Sequence, residues 1–435
     1  MNKSTTYKPS PLGKIPSDWE VKKLKDILIE GKLGGNYENA EANNGIPVIK
    51  MGNLDRSVIK IDKIQYLPEN EKFNNDDVLK EGDLLFNTRN TLDLVGKVAI
   101  WQNELPFAVY NSNLMRMQFD DKYVASNYFM NFAFNSHYGL SQLRGIATGT
   151  TSVAAIYGRD LEKIKFILPP LSEQRAIATC LSVWDDAITK TQTLITQKEA
   201  RKKWLMQQLL TGKKRLKGYD KEWKEVQLKD CFHFVKSYSI SRDGLSKDEG
   251  DLYCIHYGDI HAFYETEFLD FKKQNCIPRI IDEKTDIQEK DYLKDGDVIM
   301  ADASEDYEGV GESVVVLNID NKVAVGGLHT IILRDFAGET VSQYRGYLFA
   351  SERVRNELRT KATGTSVYSV TKSTLDSLML SLPSKEEQSA IAKVLQAADN
   401  EIQLLKAKVG KLKEQKKGLM QVLLTGKKRL KFNNN

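Results

Sequence analysis

Residues able to do chemistry are thinly scattered along this 435-residue chain. Cys254, His256 and His261 fall close together and are of metal-ligating types. A structural zinc site needs four ligands, usually as two spaced pairs, and no second pair accompanies them. Asp282 and Glu283 before Lys284 have the order of a nuclease centre, but a solvated turn has the same composition. The repeated TGKK, at 211–214 and 425–428, lacks the first glycine and the hydroxyl residue of a phosphate-cradling loop. No G-x-G-x-x-G follows a candidate strand, so no nucleotide or methyl-donor pocket is signalled. No G-x-S-x-G elbow presents a serine nucleophile, although residue types alone leave a dispersed Ser/His/Asp triad open.

What remains is recognition chemistry: amides, hydroxyls, imidazoles and cations near the ends of candidate strands, groups that hydrogen-bond base edges in a DNA groove. In the first half these are Asn87, Arg89, Asn90, Asn111, Asn113, Arg144, Thr148, Thr150 and Thr151. In the second they are His256, Tyr257, Ser304, His329, Lys361, Thr363, Thr365 and Ser366. Taken singly, each also suits a solvated surface or a turn. The ATGT runs at 147–150 and 362–365 suit a tight turn that needs glycine.

The elements that must position these groups come from a repeat. Residues 173–217 and 387–431 align without a gap at an offset of 214, from EQRAIATCL/EQSAIAKVL to LLTGKKRLK/LLTGKKRLK. Upstream the likeness is weaker: ATGTTSVAAI answers ATGTSVYSV, LKEGDLLF answers LKDGDVIM, Val95-Gly96 answers Val310-Gly311, and Trp19 answers Trp223. Short β-rich runs (IPVIKM, DLLFNT, GKVAIW; LYCIHY, DVIMAD, ESVVVL) alternate with Gly/Asn/Asp turns before one helical stretch in each half, an α+β pattern. The expected order is a domain at 1–170, a helix at 171–217, a similar domain at 218–383 and a second helix at 384–431. Both helices have kept their sequence while the domains have diverged, as if one mechanical task were done twice and two different targets faced.

Each helix opens after prolines, the second through a capping box of Ser384 and Glu387, and each stops at Thr-Gly (Gly212, Gly426). A 3-4 apolar spacing marks a coiled-coil seam. In the first helix it runs through Ile177, Leu181, Trp184, Ile188, Ile195, Leu205 and Leu209, broken by Thr191, Lys198 and Lys202. In the second it runs through Ile391, Leu395, Ala398, Ile402, Leu405, Val409, Leu412, Leu419 and Leu423, broken by Lys416. Acids lie early (Asp185, Asp186; Asp399, Glu401) and bases late, so antiparallel pairing brings opposite charges together and opposes the macrodipoles. It also sets Lys416 against Trp184, tolerable if the lysine stem lies on the ring. About 40 helical residues make a rod of roughly 60 Å. The expected fold is therefore two similar α+β domains separated by two long antiparallel helices with a pseudo-two-fold repeat.

Composition bounds the rest. With 41% hydrophobic and 28% charged residues the chain is globular rather than disordered. No run of eighteen apolar residues suits a membrane span, no apolar signal core opens the chain, and the four cysteines are unpatterned; the cytoplasm is the expected compartment. Residues 196–217 carry 8 Lys/Arg against one acid and 406–431 carry 10 against one, leaving 45 basic and 57 acidic residues elsewhere, a net of −12. A uniformly basic glove for nucleic acid is excluded, and any DNA contact must come from local patches with help from partners.

The chain resembles the specificity subunit of type I restriction–modification systems over essentially its whole length. The resemblance rests on G-x-I-P-x-x-W (Gly13, Ile15, Pro16, Trp19), on Thr148-Gly-Thr-Thr151 followed by Leu168-Pro-Pro-Leu-Ser-Glu-Gln174, and on the repeat at Thr363–Thr365 and Leu382–Gln388. The second copy departs as Pro-Ser-Lys-Glu-Glu-Gln. The resemblance implies a non-catalytic reader of double-stranded DNA, each domain taking one half of an asymmetric bipartite site. It further implies helices that set the spacing and dock two methyltransferase subunits, with two restriction/translocase subunits beyond them. S-adenosylmethionine, ATP and Mg would then reside on those partners, leaving no cofactor and no metal here. A stand-alone methyltransferase or nuclease, or a coiled-coil adaptor without DNA binding, are the rival readings.

Overall fold

Runs that are apolar on both faces, such as Leu84–Asn87 and Val298–Ala301, can only be the covered middle of a sheet, and each holds that place in its half. The computed structural model describes residues 6–430 except 39, 42–44, 151–152, 265, 275 and 282–285. Thr151, Asp282, Glu283 and Lys284 lie outside the described residues. The chain divides into two units, Met1–Gln192 with Ala407–Asn435, and Thr193–Lys406. No helix among the described residues is long and apolar enough to cross a membrane.

In the first unit an antiparallel sheet runs in the order Leu28–Leu33, Leu114–Phe119, Leu84–Asn87, Val98–Ile100. A smaller sheet sets Pro47–Ile49 between Val109–Tyr110, parallel, and Gln65–Tyr66, antiparallel. The second unit repeats this with Phe232–Val235, Thr330–Asp335, Val298–Ala301 and Ser313–Leu317, adding Phe268–Asp270 as a parallel edge. Its smaller sheet sets Tyr253–Ile255 parallel to Ala324–Gly326. The G-D pairs are turns: Asp83 and Asp297 accept the N–H groups of Lys80 and Lys294 at 2.9 and 2.8 Å, with Gly82 and Gly296 at φ of 87° and 89°.

The single helical stretch expected in each domain is two helices, Asn127–Phe134 with His137–Ile146, and Ser342–Ala350 with Glu352–Lys361. A serine breaks each stretch, because Ser136 and Ser351 cap the second helix by accepting the N–H of Gly139 and Val354.

The long helices are Leu171–Leu209 and Lys385–Leu423, and in each unit they pack antiparallel. Ile177, Leu181, Ile188, Ile195, Leu209, Ile391, Leu395, Ile402, Val409 and Leu423 are buried, while Trp184, Leu205, Leu405, Leu412 and Leu419 are half-buried. Thr191, a break in the pattern, is buried and returns its hydroxyl to the Ala187 carbonyl. Gly212 and Gly426 take the left-handed φ (68° and 70°) that turns the chain away from each helix. The capping box at Ser384 forms only in half. Ser384 accepts the Glu387 N–H at 3.4 Å, but the Glu387 carboxylate is held elsewhere.

It is held in an ion pair that recurs in both units. Glu173 and Glu387, at the starts of the long helices, are 0% and 1% exposed. Arg429, beyond the end of the second helix, grips Glu173 with two bonds of 2.7 and 2.6 Å, and Arg215, beyond the end of the first, grips Glu387 at 2.5 and 2.6 Å. Trp19 adds an indole N–H to Glu173 at 3.0 Å and lies under Arg429, as Trp223 lies under Arg215. The neighbouring glutamine ties the α+β domain to the helix. Gln174 accepts the Ala125 N–H and donates to the Tyr123 and Pro169 carbonyls; Gln388 accepts the Val341 N–H and donates to those of Glu339 and Pro383.

Along the seam Lys416 meets Asp185, and Lys202 meets Asp399 at 2.6 Å; Lys198 reaches Glu401 as the charge pattern requires. The ring beside Lys416 is Phe132, 5.0 Å from the ammonium, rather than Trp184. Pairing with Asp185 draws the lysine toward the domain, as Lys202 is drawn over Tyr347 at 5.6 Å. Replacing Arg429 by alanine leaves the Glu173 carboxylate buried without a cation, at a cost of about 3–5 kcal/mol. Denaturant unfolding should show that loss, and an Arg429→Ala protein as stable as the parent would remove the ion pair from any role in the fold.

Candidate nucleic-acid interface

The candidate residues come from strand ends that are far apart in sequence, and backbone bonds gather most of them. In the first unit a three-stranded ribbon pairs Thr148 and Arg89 with Ala155, and Gly149 and Asn90 with Ala154. Thr88, just before it, donates its N–H to Asn113 at 3.0 Å and accepts the Ile156 N–H, also at 3.0 Å. Asn111 donates to Ile49 at 3.1 Å, which sets Lys50 and Met51 at the same end.

The second unit builds the same frame. Asp302 donates to His329 at 3.1 Å and accepts the Val370 N–H at 2.8 Å. Ala303 pairs with Ser369 and Ser304 with Tyr368, while Thr363 bridges to Ser369. Gly327 donates to Ile255 at 2.8 Å and so sets His256 and Tyr257. The glycine of each ATGT run is obligatory. At Gly149 and Gly364, with φ of 137° and 121°, an added Cβ would sit 2.2 and 1.9 Å from the carbonyls of Val153 and Val367.

Burial sorts the candidates. Asn87, Asn111, His256 and Ser304 are buried and lie beneath the face rather than on it. Each accepts a turn N–H, from Arg89, Asn113, Gly258 and Asp306 respectively, while the Asn87 Nδ2 is buried without a partner. Asn90 does the same for Thr91 while half-buried, and Asn113 is half-buried. Arg89, Arg144, Thr148, Thr150, Lys361, Thr363, Thr365 and Ser366 are exposed, Lys361 being paired with Glu357 at 2.8 Å. Tyr257 is the hub of a ring cluster, 4.6 Å from His256, 5.3 Å from His329 and 6.3 Å from His261.

Sequence reasoning passed over Lys50 and Met51, and the aromatic pair Tyr307 and Tyr368, 5.5 Å apart beside Ser304. The first two were within reach, because IKMGNL (49–54) answers IHYGDI (255–260) residue for residue in kind. Cys254 is no ligand partner for the histidines. It packs against Tyr238, Ile240 and Val325, and burial pushes its thiol up to about 12. Among the described residues no group of three or more His, Cys, Asp or Glu converges.

Residues 16–198 and 220–414 match the type I restriction modification DNA specificity domain. The chain belongs to that family. It is 26% identical over 450 residues to a putative type I restriction enzyme MjaX specificity subunit of Methanocaldococcus jannaschii, covering 99% of this chain and 98% of the relative. With the MjaVIII specificity subunit of the same organism it shares 26% over 439 residues, 96% and 95% of the two chains. In fold it is similar to a chain solved in a study of assembly and conformational transition of a type I R-M system (TM-score 0.58, 16% identity, 95% and 99% covered). It is also similar to a type I S subunit from M. genitalium (TM-score 0.53, 14% identity, 95% and 97% covered). As a specificity subunit it is a DNA-recognition component and not the catalytic one.

Two histidines of the specificity subunit's second domain are tuned in opposite directions. Burial, followed by the Arg242 charge, holds His256 below its ordinary 6.5. A hydrogen bond to Glu312, opposed by burial and helped by the Ala303 carbonyl, holds His261 above it. The His261 contribution to stability is therefore complete below about pH 6.5 and lost as pH rises through its raised folded value. That of His256 is complete above about 6.5 and lost as pH falls. An NMR titration should find His261 protonating before His256 as pH is lowered; the reverse order would refute this electrostatic arrangement.

Proposed function

We propose that this specificity subunit directs a type I complex to an asymmetric bipartite DNA site, each domain reading one half across a non-specific spacer. One observation carries the reading: a shared backbone frame presents different side chains in the two domains. Where the first offers Arg89, Met51 and Asn113, the second offers Ala303, Tyr257 and His329. Since backbone bonds hold the frame, the side chains on it can change without loss of fold, as two different base sequences require.

The long helices set the spacer and dock two methyltransferase subunits, beyond which two restriction/translocase subunits complete the assembly in the cytoplasm. Val183, Leu194, Trp204 and Leu404, apolar yet exposed on these helices, support a docking role. The methyl donor, ATP and Mg belong to those partners.

Co-expression with the methyltransferase subunit and genome-wide mapping of methylated adenine should yield one gapped motif that vanishes when this chain is omitted. Replacing residues 218–383 by a relative's equivalent should change one half of that motif alone. A change in both halves would end the modular reading, and no motif from an assembled, donor-binding complex would return the adaptor reading. Inserting four residues near Glu199 should alter the spacer and spare both halves; an unaltered spacer would contradict the ruler.

A further inference from the structure

Arg144 and Arg359 occupy the same place in their domains, following Leu143 and Leu358 in the second of the paired helices. Arg359 is caged, 8% exposed, with Glu308 at 2.9 Å and Glu352 at 3.4 Å. Arg144 is exposed, and no acid among the described residues meets it. Its charged neighbour is another arginine, Arg56.

The geometry of that pairing is set by the segment 96–98. Ser57, in a left-handed conformation at the tip of its hairpin, donates its N–H to Val98 at 2.8 Å and so carries Arg56 there. On the other side Gly96 lies against Leu143, a Cβ on it coming within 3.5 Å of the Leu143 Cβ. Lys97 is 3.3 Å from Asp55, which also takes Lys60 at 2.7 Å. Two lysines thus already share the Asp55 carboxylate, and the Arg56 Nη1 is buried without a partner. Burial and then the Arg144 charge both work against protonation of Arg56. Beyond Arg144 opens a cavity of about 510 Å³ lined also by Lys417 and Lys427.

The second domain cancels charge at the matching places. Asn87 donates to the Lys97 carbonyl as Ala301 does to that of Glu312, so an acid stands where the first domain has a lysine. Glu312 in turn meets His261 at 2.6 Å and Arg355 at 3.6 Å. Arg144, which no acid among the described residues meets, beside an Arg56 whose Nη1 has no partner and whose adjacent Asp55 is already taken by two lysines, can take an anion, and planar forks suit phosphate oxygens. Arg144 lies four residues before Thr148 on the exposed ribbon, so the anion that reaches both is a DNA backbone phosphate.

We propose that Arg56 and Arg144 form a phosphate clamp that seats the DNA backbone beside the first half-site, with no counterpart among the described residues of the second domain. This rests on the DNA-reading function proposed above. Phosphate contacts fix position and carry no base preference. The test is binding of the assembled methyltransferase complex to a labelled duplex bearing its motif, across a range of salt concentrations. Arg144→Gln and Arg56→Gln should each reduce the steepness of log affinity against log salt by about one, while the penalty for single-base changes stays the same. Arg56→Lys should keep the slope. The DNA-free Arg144→Gln complex should melt no lower than the parent, since a like-charge contact is relieved. Specific binding with an unchanged slope, or an altered base preference, would overturn the clamp. A parent complex without sequence-specific binding would instead overturn the function on which it rests.

Discussion

A carboxylate buried at the start of each long helix is tolerable only if a cation reaches it, and that requirement governs the rest of the structure. Glu173 and Glu387 are closed off from solvent, and the guanidinium that neutralises each comes from beyond the end of the other helix. A parallel pair could not supply it, and a slip of one heptad would strand a bare charge in the interior, a loss far larger than one misplaced leucine. The apolar seam permits several registers, whereas the ion pair admits one. The adjacent Gln174 and Gln388 then fasten the turn before each domain's paired helices, so the register of the long helices is passed on to the domain.

What the domain does with that position depends on a division between backbone and side chain. The frame around Thr88 and around Asp302 is held by the same backbone bonds, and the glycines at 149 and 364 admit no side chain at all. Polar residues next to the frame, among them Asn111 and Ser304, accept the N–H groups of turns. Those beyond it, such as Arg89 against Ala303 or Lys97 against Glu312, are bound by no shared contact and have diverged. Diversity on the face costs the fold little because nothing on the face holds it together.

The same division decides how much could be read from the sequence. The seam, its antiparallel sense and the two-domain order were legible because heptad spacing, charge order and a 214-residue offset each express a long-range constraint in local pattern. The candidate face was legible only as residue types at strand ends. Whether an asparagine points outward or caps a turn depends on a partner N–H two residues away, which has no pattern of its own. Hence Asn87, Asn111, His256 and Ser304 fall beneath the face they were expected to form. The capping box failed for a related reason: Glu387 has the right spacing, but a long-range arginine outbids a local N–H.

A second repeated contact shows why the lysines that break the heptads are structural rather than defects. Lys202 and Lys416 are 214 residues apart, as are their partners Asp399 and Asp185. Each ammonium lies near a domain ring, Tyr347 for Lys202 and Phe132 for Lys416, with the Tyr347 hydroxyl bonded to Asp399 at 2.6 Å. One contact at the helix start fixes where a helix sits along its length. A second, twelve residues further on at Asp185 and Asp399, fixes its rotation about its own axis. A leucine in place of either lysine would add apolar area but free that rotation. The polar breaks in the seam therefore orient each helix to its domain, and the leucines around them hold it there.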